Sequence, residues 1–324
     1  MTTHHEILEA ALARITTGYV FPERAATIDA AIRRRLAEGA YRGLEVRELC
    51  ERVTDDLQKA CADKHLRLLW TEEPQPMDEE PEDVARARFA RYARENNYGI
   101  RRVEQLDDNI GYLDLRMIAP ADLGGPAIAA AMQLLAPTEA LVIDLRQCRG
   151  GAPEGVQLWC SYFFADDGVH LNDIYERATD STRQYWTLGH LAAPRYLDRP
   201  VAVLTGDLTF SGGEELAYNL KAQGRATLIG RTTRGGAHPT TRIPVAPHVT
   251  VTVPTARSVN PVTGTNWEGV GVEPDLAVAA GEELKAALEH LRTRLVDSRT
   301  DLTAEQGRRS SPAASGAAPG RGAG

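Results

Sequence analysis

The hydrophobic positions change period along the chain, and the change separates two kinds of structure. Up to residue 62 they recur at three- and four-residue spacing: Ile7, Leu8, Ala11, Leu12 and Ile15, then Ile28, Ile32 and Leu36, then Leu49, Val53 and Leu57. Each set is the apolar stripe of an amphipathic helix. Pro22 and the glycines at 39 and 43 punctuate them, so three helices are predicted. HLRLLW (65–70) reads as a first strand. TEEPQPMDEEPED (71–83) is acidic and proline-rich, a surface insertion, and leads into VARARFARYAREN, whose acidic start and arginine-rich end suit a helix dipole. From residue 109 onward strands alternate with helices. NIGYLDLRMI (109–118), ALVIDLR (140–146), VAVLTG (201–206) and ATLIG (226–230) predict strands, and 124–135, 154–164 and 212–222 predict the helices between them. That alternation specifies an α/β domain with a largely parallel sheet. Residues 243–256 alternate apolar and polar side chains as one half-buried strand does. The chain therefore divides into a helical domain over 1–64, an α/β domain over 65–296 with an insertion at 71–108, and a Ser/Ala/Gly/Pro/Arg-rich tail over 297–324 that predicts disorder.

Composition narrows the partners. A chain of 324 residues can hold one large core and a small satellite. The formal charge of -8, with basic residues scattered and not gathered in a stripe, argues against nucleic acid. No apolar run reaches the length of a membrane span. The start, MTTHHEILEAALARI, lacks a basic segment followed by an unbroken apolar one, so no signal peptide is predicted. Cys50, Cys61, Cys148 and Cys160 show no metal-ligand spacing and are expected as reduced thiols of a cytoplasmic protein. No phosphate-binding glycine pattern occurs, and neither cofactor nor metal is expected. Lysine is scarce: only Lys59, Lys64, Lys221 and Lys285.

Four pieces could carry chemistry. In TFSGGEELAYNL (209–220), Ser211 stands at the start of a predicted helix. Its S-x-x-E spacing to Glu214 is that of a capping box, the structural reading. The chemical reading is a nucleophile: glycines at 212 and 213 let a substrate approach the backbone, and the helix start offers amides and a positive dipole end to an oxyanion. A hydroxyl needs a base to react at neutral pH. In DLRQCRGGAPEGV (144–156), Gly150 and Gly151 form either an ordinary strand–helix turn or a second oxyanion donor facing Ser211. His65 stands just before the first predicted strand, at the seam between the helical and α/β parts, where a lone histidine reads first as structural or simply exposed. Glu268, beside Trp267 in NPVTGTNWEGVGVEPD (260–275), is either a loop carboxylate or the partly desolvated group that orients an imidazolium.

In order and spacing, NIGYLDLR, LVIDLRQCRGG, LTFSGGEELAYNLKAQGRATLIGRTTRGGAH and NPVTGTNWEGVGVEPD resemble the serine peptidases that include the carboxy-terminal processing (tail-specific) proteases and the tricorn core protease. The resemblance is nearest to the branch named after interphotoreceptor retinoid-binding protein. The helical stretch ending in DKHLR matches that branch as well, so the likeness spans roughly 15–290. It implies a ClpP/crotonase-like α/β core with a small N-terminal three-helix domain, and a serine hydrolase, a peptidase, working through an acyl-enzyme. In the tail-specific branch a lysine after the serine's helix is the base, but the matching position here is Gly236. Lys221 is ten residues from Ser211 along one predicted helix, about 15 Å of rise; Lys59 and Lys285 carry no motif, and Lys64 adjoins His65. The tricorn branch instead uses a histidine ahead of the core, oriented by a glutamate, and these match His65 and Glu268. The roles implied are Ser211 as nucleophile, His65 as base and Glu268 as its orienting group, with the amides of Gly212 and of Gly150 or Gly151 as oxyanion donors. His238, after the Gly235–Gly236 turn, competes with His65 for the role of base. No PDZ-like segment is present, and the retinoid-binding branch includes lipid carriers. Two alternatives therefore stay open: a non-catalytic binder of an apolar ligand such as a fatty acid or retinoid, and a tailoring hydrolase or cyclase acting on a small metabolite or biosynthetic peptide. The partner is thus a peptide, a small acyl substrate or an apolar ligand, and the oligomeric state is open.

Overall fold

A computed structural model describes residues 3–77 and 81–309. Helices α1 (His4–Gly18), α2 (Pro22–Ala37) and α3 (Val46–Cys61) lie where the apolar stripes predict them. Thr3 and Glu6 close a capping box on α1, Pro22 opens α2, and Ala62 ends α3 in the left-handed region. These helices bury their stripes on strands from both ends of the chain. β1 (Arg67–Trp70) pairs antiparallel with β10 (Val249–Pro254), which pairs with β9 (Thr240–Ala246). Ile7, Leu12, Ile28 and Leu49 share one core with Leu68, Val249, Val251 and Val253. Residue 64 therefore does not divide two cores, because the helices need β1, β9 and β10 to cover their apolar faces.

The stretch 243–256, predicted as one strand, contains a hairpin. The chain turns at 247–248 between β9 and β10, with a register shift at Val249/Thr250. Val245, Ala246 and Val249 all face the helical core, so alternation alone does not reveal the turn. Pro247 lies at the turn, but Pro244 and Pro254, which equally lack a ladder donor, lie within β9 and β10, so proline does not single the turn out either.

The central sheet has the order β12-β8-β7-β4-β3-β2. Its strands are β2 (Ile100–Leu106), β3 (Ile110–Leu115), β4 (Ala140–Asp144), β7 (Val201–Thr205), β8 (Thr227–Gly230) and β12 (Leu276–Ala277). All pairs are parallel except β2 with β3. One face is covered by α5 (Ala121–Leu135), α6 (Pro153–Ser161) and α7 (Gly212–Ala222), with Met132, Trp159 and Leu216 buried against Leu113, Ile143 and Val203. On the other face Ala287 and Leu291 of α8 (Glu283–Arg309) pack on Tyr112, Val142 and Leu204. The mixed α/β architecture is the one the sequence predicts. The segment read as an insertion, 71–108, supplies α4 (Glu82–Glu95) and the edge strand β2. A second small sheet, order β11-β5-β6, joins β5 (His170–Glu176), β6 (Ser181–Trp186) and β11 (Ala256–Val259). Helix α8 reaches Arg309, into the stretch where disorder is expected; residues 310–324 of that stretch lie outside the described residues.

Parallel strands β4 and β7 are neighbours, and both deliver their C-terminal loops to the same sheet edge, where open α/β sheets place their ligand sites. The loop after β4 carries Gly150 and Gly151. The loop after β7 carries Ser211.

Candidate active site

The two loops are laced together before the serine is reached. Thr209 Oγ1 donates to the Leu145 carbonyl (2.8 Å), and the Phe210 N–H donates to the Cys148 carbonyl (3.0 Å). Ser211 follows at φ 53°, ψ -123°, a conformation that is uncommon for a residue with a side chain. Its box with Glu214 holds it there: the Ser211 N–H donates to Glu214 Oε2 (2.8 Å). The fully buried Glu214 carboxylate also accepts from the N–H groups of Gly235 (2.6 Å) and Gly236 (2.9 Å) and from the Thr233 hydroxyl. Burial pushes its pKa up, and those donors pull it back. Capping and presentation of the hydroxyl are thus one arrangement, which also ties the 233–236 loop beside the serine.

The glycines let the loops approach. A Cβ on Gly150 would lie 2.7 Å from Ser211 Cβ, and one on Gly212 would lie 2.9 Å from the Gly151 oxygen. Gly150 and Gly151 have φ of 100° and 151°. Ile118 donates to the Gly150 carbonyl and accepts from the Ala152 N–H, so the Gly151 N–H between them points the other way. Among the described residues, the N–H groups of Gly151 and Gly212 donate to no other group of the chain. Gly151 and Gly212 line the cavity of Ser211, whereas Gly150 does not, which makes Gly151 and Gly212 the free pair that faces it.

His65 packs its ring against Phe210 at 4.4 Å between centroids, and its Nδ1 is buried with no hydrogen-bond partner. Burial pushes its pKa down to about 4; Asp63 opposes the shift, while Arg67, His238 and Arg234 add to it. The imidazole is therefore neutral at neutral pH. His65 and Ser211 line one cavity of about 540 Å³, together with Gly151, Gly212, Phe210 and Gly236. They are not hydrogen-bonded to each other. A Cβ on Gly236 would come within 2.3 Å of Phe210 Cε2 and 2.7 Å of His65 Cε1. At the position where the resemblance places a lysine base in related proteins, the space is filled by the Phe210 and His65 rings. Lys221 points elsewhere, donating to the Glu273 carbonyl (2.7 Å) and pairing with Asp275 (3.0 Å).

Behind His65 lie two carboxylates. Glu268 accepts from the Lys64 N–H (3.2 Å) and the Ala237 N–H (2.6 Å), joining the segment of His65 to the loop of Gly236. Burial pushes its pKa up to about 7, with Asp63 adding and His238 opposing. Asp63, absent from the sequence reading, accepts from the His65 N–H (3.0 Å), the Tyr19 hydroxyl (3.1 Å) and His238 Nδ1 (2.8 Å). Its only sequence signal was its place two residues before His65. His238 is 3% exposed, with its ring edge-on to Phe21, and it does not line the cavity. Asp63, His65 and Glu268 bring ligand atoms within 4.8 Å of one another, the one such trio among the described residues. Both carboxylates already accept from N–H or O–H donors, so the trio reads as a hydrogen-bonding hub and not as a vacant metal shell.

One cavity thus holds a hydroxyl at a helix start, a neutral imidazole backed by carboxylates, and two unused amides, the parts that acyl transfer requires. The chain belongs to peptidase family S41, whose sequence pattern matches residues 109–278. It is similar to the carboxy-terminal-processing protease of Bartonella bacilliformis, 28% identical over 178 residues, 54% of this chain and 40% of that protein. The chain thus matches less than half the length of that relative. In fold it is similar to a candidate peptidase of Parabacteroides merdae (TM-score 0.61, 19% identity) and to a lipoprotein of Streptococcus agalactiae (TM-score 0.58, 14% identity). Each of these two likenesses covers 90% of this chain and 97% of the other. Among the described residues, no helix is long and apolar enough to cross a membrane.

Proposed function

We propose that the protein is a serine peptidase in which Ser211 attacks a peptide carbonyl with His65 as its base. The carrying observation is that Ser211, His65 and the free Gly151 and Gly212 amides line a single cavity in a chain of family S41. As the Ser211 oxygen bonds to the carbonyl carbon, its proton passes to His65, and the carbonyl oxygen takes up negative charge beside the two amides. The intermediate then expels the amine, which leaves with the proton from His65. Water, deprotonated by the same imidazole, releases the acyl group from the serine. A base with a resting pKa of about 4 accepts the serine proton only if the resulting imidazolium is stabilised. Glu268 and Asp63, close to the ring, supply that charge. Nδ1 without a partner in the resting site is consistent with hydrogen bonds that tighten on substrate binding.

The helical segment ending in DKHLR, which delivers His65, supports placing the protein in the retinoid-binding-protein-like branch. An apolar cargo is a poorer fit to this cavity, which four arginines line, and the comparisons do not favour a tailoring enzyme. A fluorophosphonate probe is expected to label the wild type and not Ser211→Ala. Equal labelling of both would remove Ser211 as nucleophile.

A further inference from the structure

The protein carries a formal charge of -8, yet Arg67, Arg149, Arg234 and Arg242 all line the cavity of Ser211. Among the described residues none of the four is ion-paired, and Arg67 Nε is buried without a hydrogen-bond partner. The single carboxyl of the lining, Glu215, is 5% exposed and its pKa is pushed up by burial to about 8, so it is uncharged at neutral pH and does not balance the arginines. Two of the arginines are held next to the reacting centre: the Arg67 and Arg234 guanidinium carbons lie 5.7 Å and 5.2 Å from the ring centroid of Phe210, the residue before Ser211. Arg67 on β1 and Arg242 on β9 both stand in register with Thr252 of β10, and Arg234 lies on the loop that leads into β9 and that Glu214 fixes, so one small sheet and its entry loop bring the three together. Gathering like charges without a counter-ion is unfavourable: burial, then Arg234 and Arg242, lower the Arg67 pKa. The cost is recovered when an anion enters, and a planar guanidinium fork matches a carboxylate best.

We propose that Arg67, Arg234 and Arg242 form a subsite for a substrate carboxylate close to the bond that Ser211 attacks. This deepens the peptidase reading and rests on it for the kind of ligand. The carboxylate is either an aspartate or glutamate side chain or the free C-terminus of the peptide. Its arrival also acts on the base. His65 is faced by Arg67, Arg234 and His238 on one side of the charge balance and by Asp63 and Glu268 on the other. A carboxylate that offsets the two arginines makes His65 more basic when substrate is bound, so an anionic substrate gains in kcat as well as in KM.

The test separates binding from turnover. Three alanine hexapeptides with a neutral coumarin at the N-terminus are titrated into Ser211→Ala by fluorescence anisotropy: one amide-ended, one amide-ended with a central glutamate, and one with a free C-terminus. At least one anionic peptide is expected to bind about tenfold tighter than the neutral one, a preference that falls with added salt. Which one does so identifies the source of the carboxylate. Adding Arg242→Gln, an exposed position, or the pair Arg67→Gln/Arg234→Gln should bring the ratio toward one. Equal affinities for the three peptides, or a preference unchanged in both arginine backgrounds, would overturn the subsite. Failure of the fluorophosphonate to label Ser211 would instead overturn the peptidase reading, leaving the binding result to stand by itself.

Discussion

Gly236→Ala probes the space that His65 occupies. The added methyl would sit 2.3 Å from Phe210 Cε2, 2.6 Å from Cζ and 2.7 Å from His65 Cε1. Carbon atoms in contact settle at about 3.5–4.0 Å, so the shortfall is at least about 1.2 Å at Phe210 and about 0.8 Å at His65. The backbone cannot retreat to supply it. The Gly236 N–H donates to Glu214 (2.9 Å), and its carbonyl accepts from Trp267 Nε1 (2.8 Å). The rings must move instead, and His65 shifts by something near an ångström. Overpacking of this kind costs about 1–3 kcal/mol. A base misplaced by about 1 Å can lose about 10²-fold in rate. The assay is the second-order rate of fluorophosphonate labelling, with thermal unfolding alongside. The expected result is a folded protein with a transition lowered by a few degrees and labelling slowed about a hundredfold. Wild-type labelling in folded Gly236→Ala would show that the seat of His65 beside Gly236 has no part in activating Ser211.

Three further outcomes are expected. His65→Ala should lower kcat/KM by about 10²–10⁴-fold, while His238→Gln, which loosens the contacts with Asp63 and Glu268 at a residue that does not line the cavity, should cost far less; equal losses in steady-state assays would reverse the choice of base. His65 is neutral down to about pH 4 and Glu268 ionises near 7, so kcat/KM should rise with pH through about 7 as the ionised Glu268 appears. Glu268→Gln should remove that rise, whereas a wild-type acid limb near pH 4 would assign control to His65 alone. Glu214→Ala leaves the N–H groups of Ser211, Gly235 and Gly236 without their acceptor and should lower stability by about 3 kcal/mol or more by calorimetry; an unchanged transition would mean that this carboxylate is not what holds the loop.

What the sequence made legible follows from where each element's partner lies. Helices α1, α2 and α3 bury one regular face, so their helical period is strong, while strands β3, β4, β7 and β8 are buried on both faces of the sheet and stand out as short continuous apolar runs. Strand β2 buries little besides Ile100, and β6 exposes most of its side chains, so neither shows a period. Ser211 and the glycine pair were readable because a helix start and two tight turns need local residue types. Asp63 was not, since its role is set by His238, from the far side of the chain, and by Tyr19.

The distance between Ser211 and His65 in the sequence has a structural answer that the motifs alone did not contain. The loop of Gly236 runs on into β9, β9 pairs with β10, and β10 pairs with β1, which begins two residues after His65. A three-stranded sheet therefore carries the histidine back to the very loop from which a lysine would otherwise reach the serine. Glu268 closes the circuit by accepting from Lys64 on one side and Ala237 on the other. Lysine at 236 and histidine at 65 compete for the same space, since even a single carbon on Gly236 collides with the His65 ring. The absence of a side chain at 236 and the presence of His65 are then one choice made twice in the sequence. Introducing a base at 236 should require removing the ring at 65 to make room for it.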